Sequence, residues 1–189
     1  MYALLKRSLD ITLSFIALVC VSPIMVIISI MLLFTGEHIV FYFQQRIGCK
    51  GKPFQMIKFA TMVKNSPNIG TGLLTTRNDP RVLPFGRFLR ITKINELPQL
   101  INILKGDMSI VGPRPMVIDT FLAYPKEIRN RVYDARPGLT GIGSIIFRDE
   151  EYYVSKVCNP IAFYEEVIYP YKIKNFISVA ACNFFCFVC

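Results

Sequence analysis

The sequence contains no tryptophan and one histidine (His38), and its six cysteines include a single Cys-x-x-Cys pair, Cys186 and Cys189, at the end of the chain. Structural zinc sites need four closely spaced Cys or His ligands, so this pattern argues against such a site. Cys20 lies in an apolar run, which favours reduced thiols and a body that faces the cytoplasm. A disordered chain is also excluded, because 52% of the residues are hydrophobic and only 19% are charged.

Charge is absent from Ile11 to Gly36, a run of 26 residues. As an α-helix this run would extend ~39 Å, enough to cross the roughly 30 Å hydrocarbon core of a bilayer. A cleaved signal peptide has a shorter apolar region and a small-residue cleavage site. A buried helix of a soluble protein rarely lacks charge for so long. The run therefore predicts a membrane helix.

Ser22-Pro23 lies near the middle of this run. Proline removes a helical hydrogen bond, which fits either a kinked spanning helix or a re-entrant hairpin that bends at this pair. Lys6 and Arg7 precede the run and a basic body follows it. Since positive charge is retained on the cytoplasmic side, both ends are drawn to that side, and the re-entrant hairpin is favoured.

Acidic residues are scarce between residues 45 and 114, which hold twelve Lys and Arg but three Asp and Glu. Residues 115–189 hold eight of each. The excess of positive charge indicates an anionic partner such as phosphates, nucleic acid or lipid headgroups. A nucleic-acid binder is the weakest of these hypotheses, because the sequence has no recognisable recognition helix or aromatic stacking platform.

The residues that follow the apolar run predict a mixed α+β fold that is mostly helical. Asn95 is predicted to cap a helix in which Glu96 and Pro98 occupy the first turn and Gly106 ends the last. The other predicted elements are a strand at Ile39–Phe43, a basic turn over 44–53, a return strand at Phe54–Phe59, a loop over 64–80, a short apolar and basic element at Phe85–Leu89, a helix near 116–133, a turn at 136–141 and a helix near 161–168.

These elements divide the chain into a predicted membrane segment, residues 1–38, and a predicted cytoplasmic domain, residues 39–175. The uncharged tail 176–189 is too short to span as a helix, and we assign it no role.

Several blocks then stand together in order: Lys58–Met62, Asn78–Arg81, Asn95–Leu100, Gly106–Pro115 and Arg136–Gly141, preceded by Lys6-Arg7, Asp10 and Ser22-Pro23. Together they resemble the bacterial sugar transferases, which are small monotopic phosphoglycosyl transferases. The resemblance covers roughly residues 5–175. The Gly106–Pro115 block is its most specific part, whereas each shorter block alone would be weak.

The resemblance implies transfer of a phospho-sugar from a UDP-sugar to polyprenyl (undecaprenyl) phosphate in the bacterial inner membrane, with release of UMP. Such a step starts exopolysaccharide, capsule, O-antigen or glycoprotein glycan synthesis. It also implies Mg²⁺, a hairpin bent at the Ser-Pro pair, and a catalytic domain with amphipathic interfacial helices on the cytoplasmic face. The sugar is not identified, no nucleic-acid partner is expected, and homo-oligomerisation stays open.

By position, the resemblance makes Glu96 the Mg²⁺ ligand, since hard cations prefer oxygen. Lys58, Arg90 and Arg114 match basic positions around phosphate, and arginine makes two-pronged contacts to phosphate oxygens. Without the surrounding blocks, Arg114 would be interpreted as a turn residue between prolines and Lys58 as a solvated strand lysine.

Asn95 stands where the family usually has the attacking aspartate. An amide oxygen is a poor nucleophile towards phosphorus, although asparagine caps a helix as well as aspartate does. Four explanations stay open: an engineered or accidental change, Glu96 as the nucleophile, direct attack by the lipid phosphate, or a catalytically silent protein that binds or scaffolds. The intact phosphate-binding blocks favour an active enzyme.

Overall fold

The computed structural model describes residues 2–69, 75, 78–122, 124, 126, 129, 135–141, 150–157, 159–168 and 170–171. The fold combines helix and sheet, as predicted. Its helices are α1 (Tyr2–Phe34), α2 (Pro84–Ile91), α3 (Gln99–Lys105), α4 (Ile118–Leu122), α5 (Glu150–Val154) and α6 (Pro160–Phe163). Its strands are β1 (Phe41–Ile47), β2 (Pro53–Phe59), β3 (Ser109–Val111) and β4 (Gly138–Thr140). The tail 176–189 lies outside the described residues.

Helix α1 runs without interruption through Pro23. Buried and half-buried residues recur along it at helical spacing and form one stripe, which includes Ser14, Met25, Ile28 and Leu32. The opposite face is apolar and exposed, and the most apolar window, with mean hydropathy 2.9, is only 17% buried. Among the described residues it is the one helix whose length and composition would let it cross a membrane.

The predicted bend of α1 coincides with no break in the helix. Ser22 and Pro23 are both exposed, and Ser22 Oγ donates a hydrogen bond to the Val19 carbonyl at 2.8 Å. This bond stays within the helix, as is common for serine in apolar helices. The re-entrant topology stays a prediction.

The predicted hairpin is confirmed, but its first strand is displaced. β1 and β2 pair antiparallel from Phe41 opposite Phe59 to Ile47 opposite Pro53. The residues 44–47 that were predicted as a turn are therefore part of β1. The turn itself is shorter and is closed by the Gly48 N–H donating to the Lys52 carbonyl at 2.8 Å.

Helix α3 is held against β2 by Asn102, which is 1% exposed. Its Oδ1 accepts from the Ile57 N–H at 3.0 Å, and its Nδ2 donates to the Gln55 carbonyl at 2.7 Å. Beneath this contact, buried Met56, Leu100, Ile103 and Met108 form a core cluster to which α1 also contributes. The cluster fixes α3 between the hairpin and α1.

A turn was predicted over 136–141, but Gly138–Thr140 forms β4 and pairs parallel with β3. The two backbones nearly touch, because a Cβ on Gly138 would lie 2.1 Å from the Gly112 nitrogen. A Cβ on Gly141 would likewise lie 2.2 Å from the Gly112 carbonyl oxygen. Only glycine permits so close an approach, which explains why both motifs are glycine-rich.

The remaining predictions have mixed outcomes. The apolar and basic element is the helix α2, and the predicted helix near 161–168 is α6 followed by a π-helical turn at Tyr164–Ile168. The predicted helix near 116–133 is described as α4 only, and most of its later part lies outside the described residues. In the predicted loop 64–80, the described part contains a 3-10 turn at Ser66–Asn68.

Candidate active site

Lys58 and Glu96 come together from distant parts of the chain. Lys58 lies near the end of β2, and Glu96 ends a 3-10 turn that leads towards α3. Lys58 Nζ is 3.8 Å from Glu96 Oε1, and the two side chains are 18% and 23% exposed. Both side chains are therefore largely sheltered from water yet still reachable by a ligand.

Lys58 is surrounded by other cations. Its pKa is lowered to about 7, chiefly by burial and also by the positive charges of Arg46, Arg114 and Arg90, against the opposing effect of the Glu96 carboxylate. The three predicted phosphate-binding residues are therefore close enough to interact electrostatically. An anion bound here would favour the charged form of Lys58.

Arg46 is a fourth cation that sequence reasoning missed. It lies on β1 and shares a face of the hairpin with Lys58, because Tyr42 pairs with Lys58 and side chains two residues apart point the same way. Its Nη1 donates to the Pro115 carbonyl at 3.2 Å. A strand prediction extended to Ile47 would have placed Arg46 on this face.

The Gly112–Pro115 turn carries Arg114 to the site. Gly112, Pro113 and Pro115 are buried, whereas Arg114 is exposed. The turn is anchored on one side by the Gly138 N–H, which donates to the Pro113 carbonyl at 2.8 Å. On the other side Arg46 binds the Pro115 carbonyl. The exposed guanidinium is thus presented on a rigid turn.

Helix α2 brings in Arg90. The helix lies directly on the segment after β2, since a Cβ on Gly86 would lie 2.2 Å from the Thr61 carbonyl oxygen. The Leu83 N–H donates to the same carbonyl at 3.0 Å. Arg90, one helical turn later, has its Nη1 3.9 Å from Met62 Sδ. Close packing at a glycine therefore sets the position of the arginine.

Asn95 does not cap a helix, so that prediction is wrong. It lies inside the 3-10 turn Ile94–Glu96, whose N-cap is Lys93 in a left-handed conformation (φ 61). The α-helix itself begins only at Gln99, with Pro98 as its N-cap residue. Asn95 is 7% exposed, and its Oδ1 has no hydrogen-bond partner in the described part of the chain. The end of α3 at Gly106 (φ 101) is confirmed.

The Asn78–Arg81 block has a structural role in the described residues. Buried Arg81 donates from Nε to Asp79 Oδ1 at 2.8 Å and from Nη1 to the carbonyls of Ser66 and Ile69, both at 2.8 Å. The hydrogen bond that Arg81 donates to the Asp79 carboxylate raises the pKa of Arg81. The pair thus fastens the start of the 64–80 segment to the chain that leads into α2.

Four cations and one carboxylate therefore converge on one partly open site. Such a set binds a polyanion with several phosphate oxygens, because arginine and lysine donate charge-assisted hydrogen bonds to them. The described residues contain no group of three or more Cys, His, Asp or Glu that could hold a metal without help.

The chain matches the family model described as bacterial sugar transferase over residues 1–176. It therefore belongs to the bacterial sugar transferase family, which confirms the resemblance carried by the sequence blocks.

Three relatives illustrate the match. The chain is 38% identical over 167 residues to an undecaprenyl-phosphate galactose phosphotransferase of Salmonella typhimurium, covering 81% of this chain and 35% of the relative. It is 40% identical over 144 residues to the UDP-glucose:undecaprenyl-phosphate glucose-1-phosphate transferase of Escherichia coli K12, covering 75% and 31%. The exopolysaccharide production protein ExoY of Rhizobium meliloti is 37% identical over 166 residues, covering 80% and 73%. The chain thus spans about a third of the length of the first two.

Proposed function

We propose that this chain transfers a phospho-sugar from a UDP-sugar to undecaprenyl phosphate at the cytoplasmic face of the bacterial inner membrane. The observation that carries the proposal is the convergence of Lys58, Glu96 and three arginines, in a chain whose relatives are named as undecaprenyl-phosphate sugar-phosphate transferases. Both substrates carry phosphate, and the cations match that charge. The product would enter exopolysaccharide or a related glycan.

The proposed membrane association rests on α1. Its exposed face carries large apolar side chains from Leu4 to Phe34, including Phe15 and Ile27. Both ends of α1 contact the same body, since Arg7 binds the carbonyl of Ile103 and Leu32 packs with Leu89. These contacts support a re-entrant arrangement, in which both ends of α1 lie on the same side of the membrane and its apolar face lies in lipid.

The donor set fits a Mg²⁺ ion that is shared with the substrate. Glu96 offers a carboxylate, and the unpartnered Asn95 Oδ1 is a buried oxygen next to it in sequence. Magnesium is commonly held by one or two carboxylates together with substrate phosphates. When bound, it would polarise the diphosphate and offset its charge. Glu96 is the residue we propose to hold it.

In the proposed reaction, a lipid phosphate oxygen attacks the sugar-linked phosphorus of the UDP-sugar. A new P–O bond forms, the bond to UMP breaks, and UMP leaves with the electron pair. Lys58, Arg90 and Arg114 bind the phosphoryl oxygens and stabilise the charge of the transition state. The neutral Asn95 amide supplies no nucleophile, so we favour direct transfer without a covalent intermediate.

The test is UMP release by the purified protein in lipid nanodiscs with Mg²⁺, undecaprenyl phosphate and a panel of UDP-sugars. Lipid-dependent release by the natural chain, with loss in Glu96→Gln, supports the proposal. Intact-mass analysis without lipid then separates the routes, because a sugar-phosphate adduct on the natural chain would contradict direct transfer. If Asn95→Asp alone releases UMP, the natural chain is a binding protein and the proposal is wrong.

A further inference from the structure

The basic start of α1 is in contact with the body of the protein. Arg7 Nη1 donates to the Ile103 carbonyl at 2.8 Å, and Nη2 donates to the Leu104 carbonyl at 3.1 Å. These carbonyls belong to the last turn of α3, where helical partners run out, and the Ile103 carbonyl also accepts from the Gly106 N–H at 3.1 Å. Gly106 ends α3 immediately beside the guanidinium, where a Cβ would lie 3.4 Å from Arg7 Nη2. Arg7 is therefore a side-chain cap on α3.

Asp10 makes a second contact one turn further along α1. It is 6% exposed, and its Oδ1 accepts from the Ile110 N–H at 3.2 Å. Its Oδ2 accepts from Ser109 Oγ at 2.8 Å and from Lys6 Nζ at 3.1 Å. Lys6 also donates to Ser109 Oγ, and Ser109 is 1% exposed. Asp10 is thus a buried carboxylate with donors to both oxygens, tying α1 to β3.

The two elements held in this way lead directly to the site. The chain passes from Glu96 into α3, and from β3 into the turn that presents Arg114. One turn of α1 therefore binds both of these segments, α3 and β3, at the end of each segment that is distant from the site. Because helices and strands transmit displacement along their length, a shift at this contact would move Glu96 and Arg114 relative to each other.

We propose that Arg7 and Asp10 are positioning residues that set the geometry of the catalytic site from the membrane helix. This role goes beyond that of positive charges that orient a membrane segment. It rests on the proposed transferase function, since Glu96 and Arg114 are the residues it positions. The contact fixes the position of the site relative to the helix that lies in lipid. The reacting groups therefore stay at a fixed height relative to the lipid phosphate.

Substitutions at Arg7 separate the effect of its hydrogen-bond geometry from the effect of its positive charge. Arg7→Lys keeps the charge but loses the two-pronged contact to neighbouring carbonyls. Arg7→Gln removes the charge, and Arg7→Gln combined with Ser8→Arg restores it at the adjacent position, which is exposed. Ser8→Arg alone is the matched control. Asp10→Asn tests the second contact without changing the size of the side chain.

Each variant is measured in nanodiscs for kcat and for the KM of the UDP-sugar, with thermal unfolding and cysteine accessibility of both ends of α1 recorded in parallel. We expect kcat to fall about 10- to 100-fold in Arg7→Gln and in the charge-restored double variant, as is typical of small displacements in an active site. The KM of the UDP-sugar and the topology should be unchanged, and Arg7→Lys should give an intermediate kcat.

Recovery of kcat when Ser8→Arg is added to Arg7→Gln would overturn the proposal, because charge alone would then suffice. Normal kcat at low temperature with an early unfolding transition would also overturn it, leaving a purely structural role.

Failure of the proposed function gives a different result. If the natural chain releases no UMP, turnover is compared in the Asn95→Asp background, where the same pattern among the Arg7 variants is expected. Amide hydrogen exchange gives a readout that needs no activity. Arg7→Gln should speed the exchange of Gly106 and Asp107, whose amides donate to the Asn102 carbonyl at the end of α3. Exchange at the natural rate would overturn the contact proposed for Arg7.

Discussion

The side-chain amide of Asn102 binds the edge of β2 as a neighbouring strand would, accepting from the Ile57 N–H at 3.0 Å and donating to the Gln55 carbonyl. β1 occupies the other edge of β2, so this single amide replaces a third strand at that point. Lys58 follows Ile57, and α3 follows the turn that carries Glu96. The 3.8 Å approach of Lys58 to Glu96 therefore depends on the hydrogen bonds by which Asn102 holds α3 against β2.

Asn102→Ala should lower the free energy of unfolding by about 1–3 kcal/mol, because it leaves the buried Ile57 N–H and Gln55 carbonyl without partners. Thermal or denaturant unfolding in detergent micelles measures this. Lys105→Ala on the exposed side of α3 is the control, expected to change stability by less than about 0.5 kcal/mol. Equal stability of the two variants would show that the amide contact contributes nothing.

Lys58 should take up a proton when the diphosphate binds. Its pKa is about 7 in the free protein, so at pH 8 most molecules carry a neutral amine, and a bound anion would recharge it. UDP binding should therefore weaken as pH rises from 7 to 9. Calorimetry of UDP binding at pH 8, in two buffers with different ionisation enthalpies, would detect the uptake. Lys58→Arg should remove both the uptake and this pH dependence; binding by the natural chain without proton uptake would contradict the prediction.

The same pKa gives a stability prediction for the free protein. The unfolded lysine binds its proton up to a pH near 10.5, whereas the folded one releases it near 7. Stability contributed by this group therefore falls as pH decreases from about 10.5 to about 7 and is constant below. Lys58→Met should raise the unfolding temperature at pH 7 while abolishing turnover. An unchanged or lower unfolding temperature would argue against a costly buried ammonium.

Asn95→Asp should convert direct transfer into a two-step reaction, because it supplies the carboxylate that the natural chain lacks. Mixed with Mg²⁺ and UDP-sugar but no lipid, this variant should gain the mass of one sugar phosphate in intact-mass spectra. The natural chain and Asn95→Ala should not. If Asn95→Asp gains no mass, either the buried carboxylate does not reach the phosphorus or it is protonated, and measurement at pH 9 distinguishes the two.

Gly138→Ala should destabilise the fold by about 1–3 kcal/mol or more, because the new methyl group would collide with backbone atoms of Gly112. Gly51→Ala is the matched control. Its Cβ would meet nothing within 4 Å, and only its left-handed conformation (φ 71) is disfavoured, at about 1 kcal/mol. Denaturant unfolding compares them. A smaller loss at Gly138 than at Gly51 would mean that the crossing of β3 and β4 relaxes easily.

Much of the local structure could be predicted from the sequence, and the errors have physical causes. The end of α3 at Gly106 and the return strand β2 follow from glycine and from apolar alternation. The cap at Asn95 was wrong because Asn95 lies inside a separate 3-10 turn, which begins after Lys93 in the left-handed conformation, and α3 starts only at Gln99. The strand β4 was missed because its pairing with β3 is a contact between segments distant in the chain.

The sequence by itself determined the family, the apolar helix and the basic surplus between residues 45 and 114, and it predicted Lys58, Glu96, Arg90 and Arg114 as site residues. These are properties of composition and of ordered motifs, which need no knowledge of what lies nearby. Only the tertiary structure decided that Arg46 joins the site, that Asn102 binds β2, and that Arg7 caps α3. A hydrogen bond between residues tens of positions apart depends on how the chain folds back, and no local pattern records that distance.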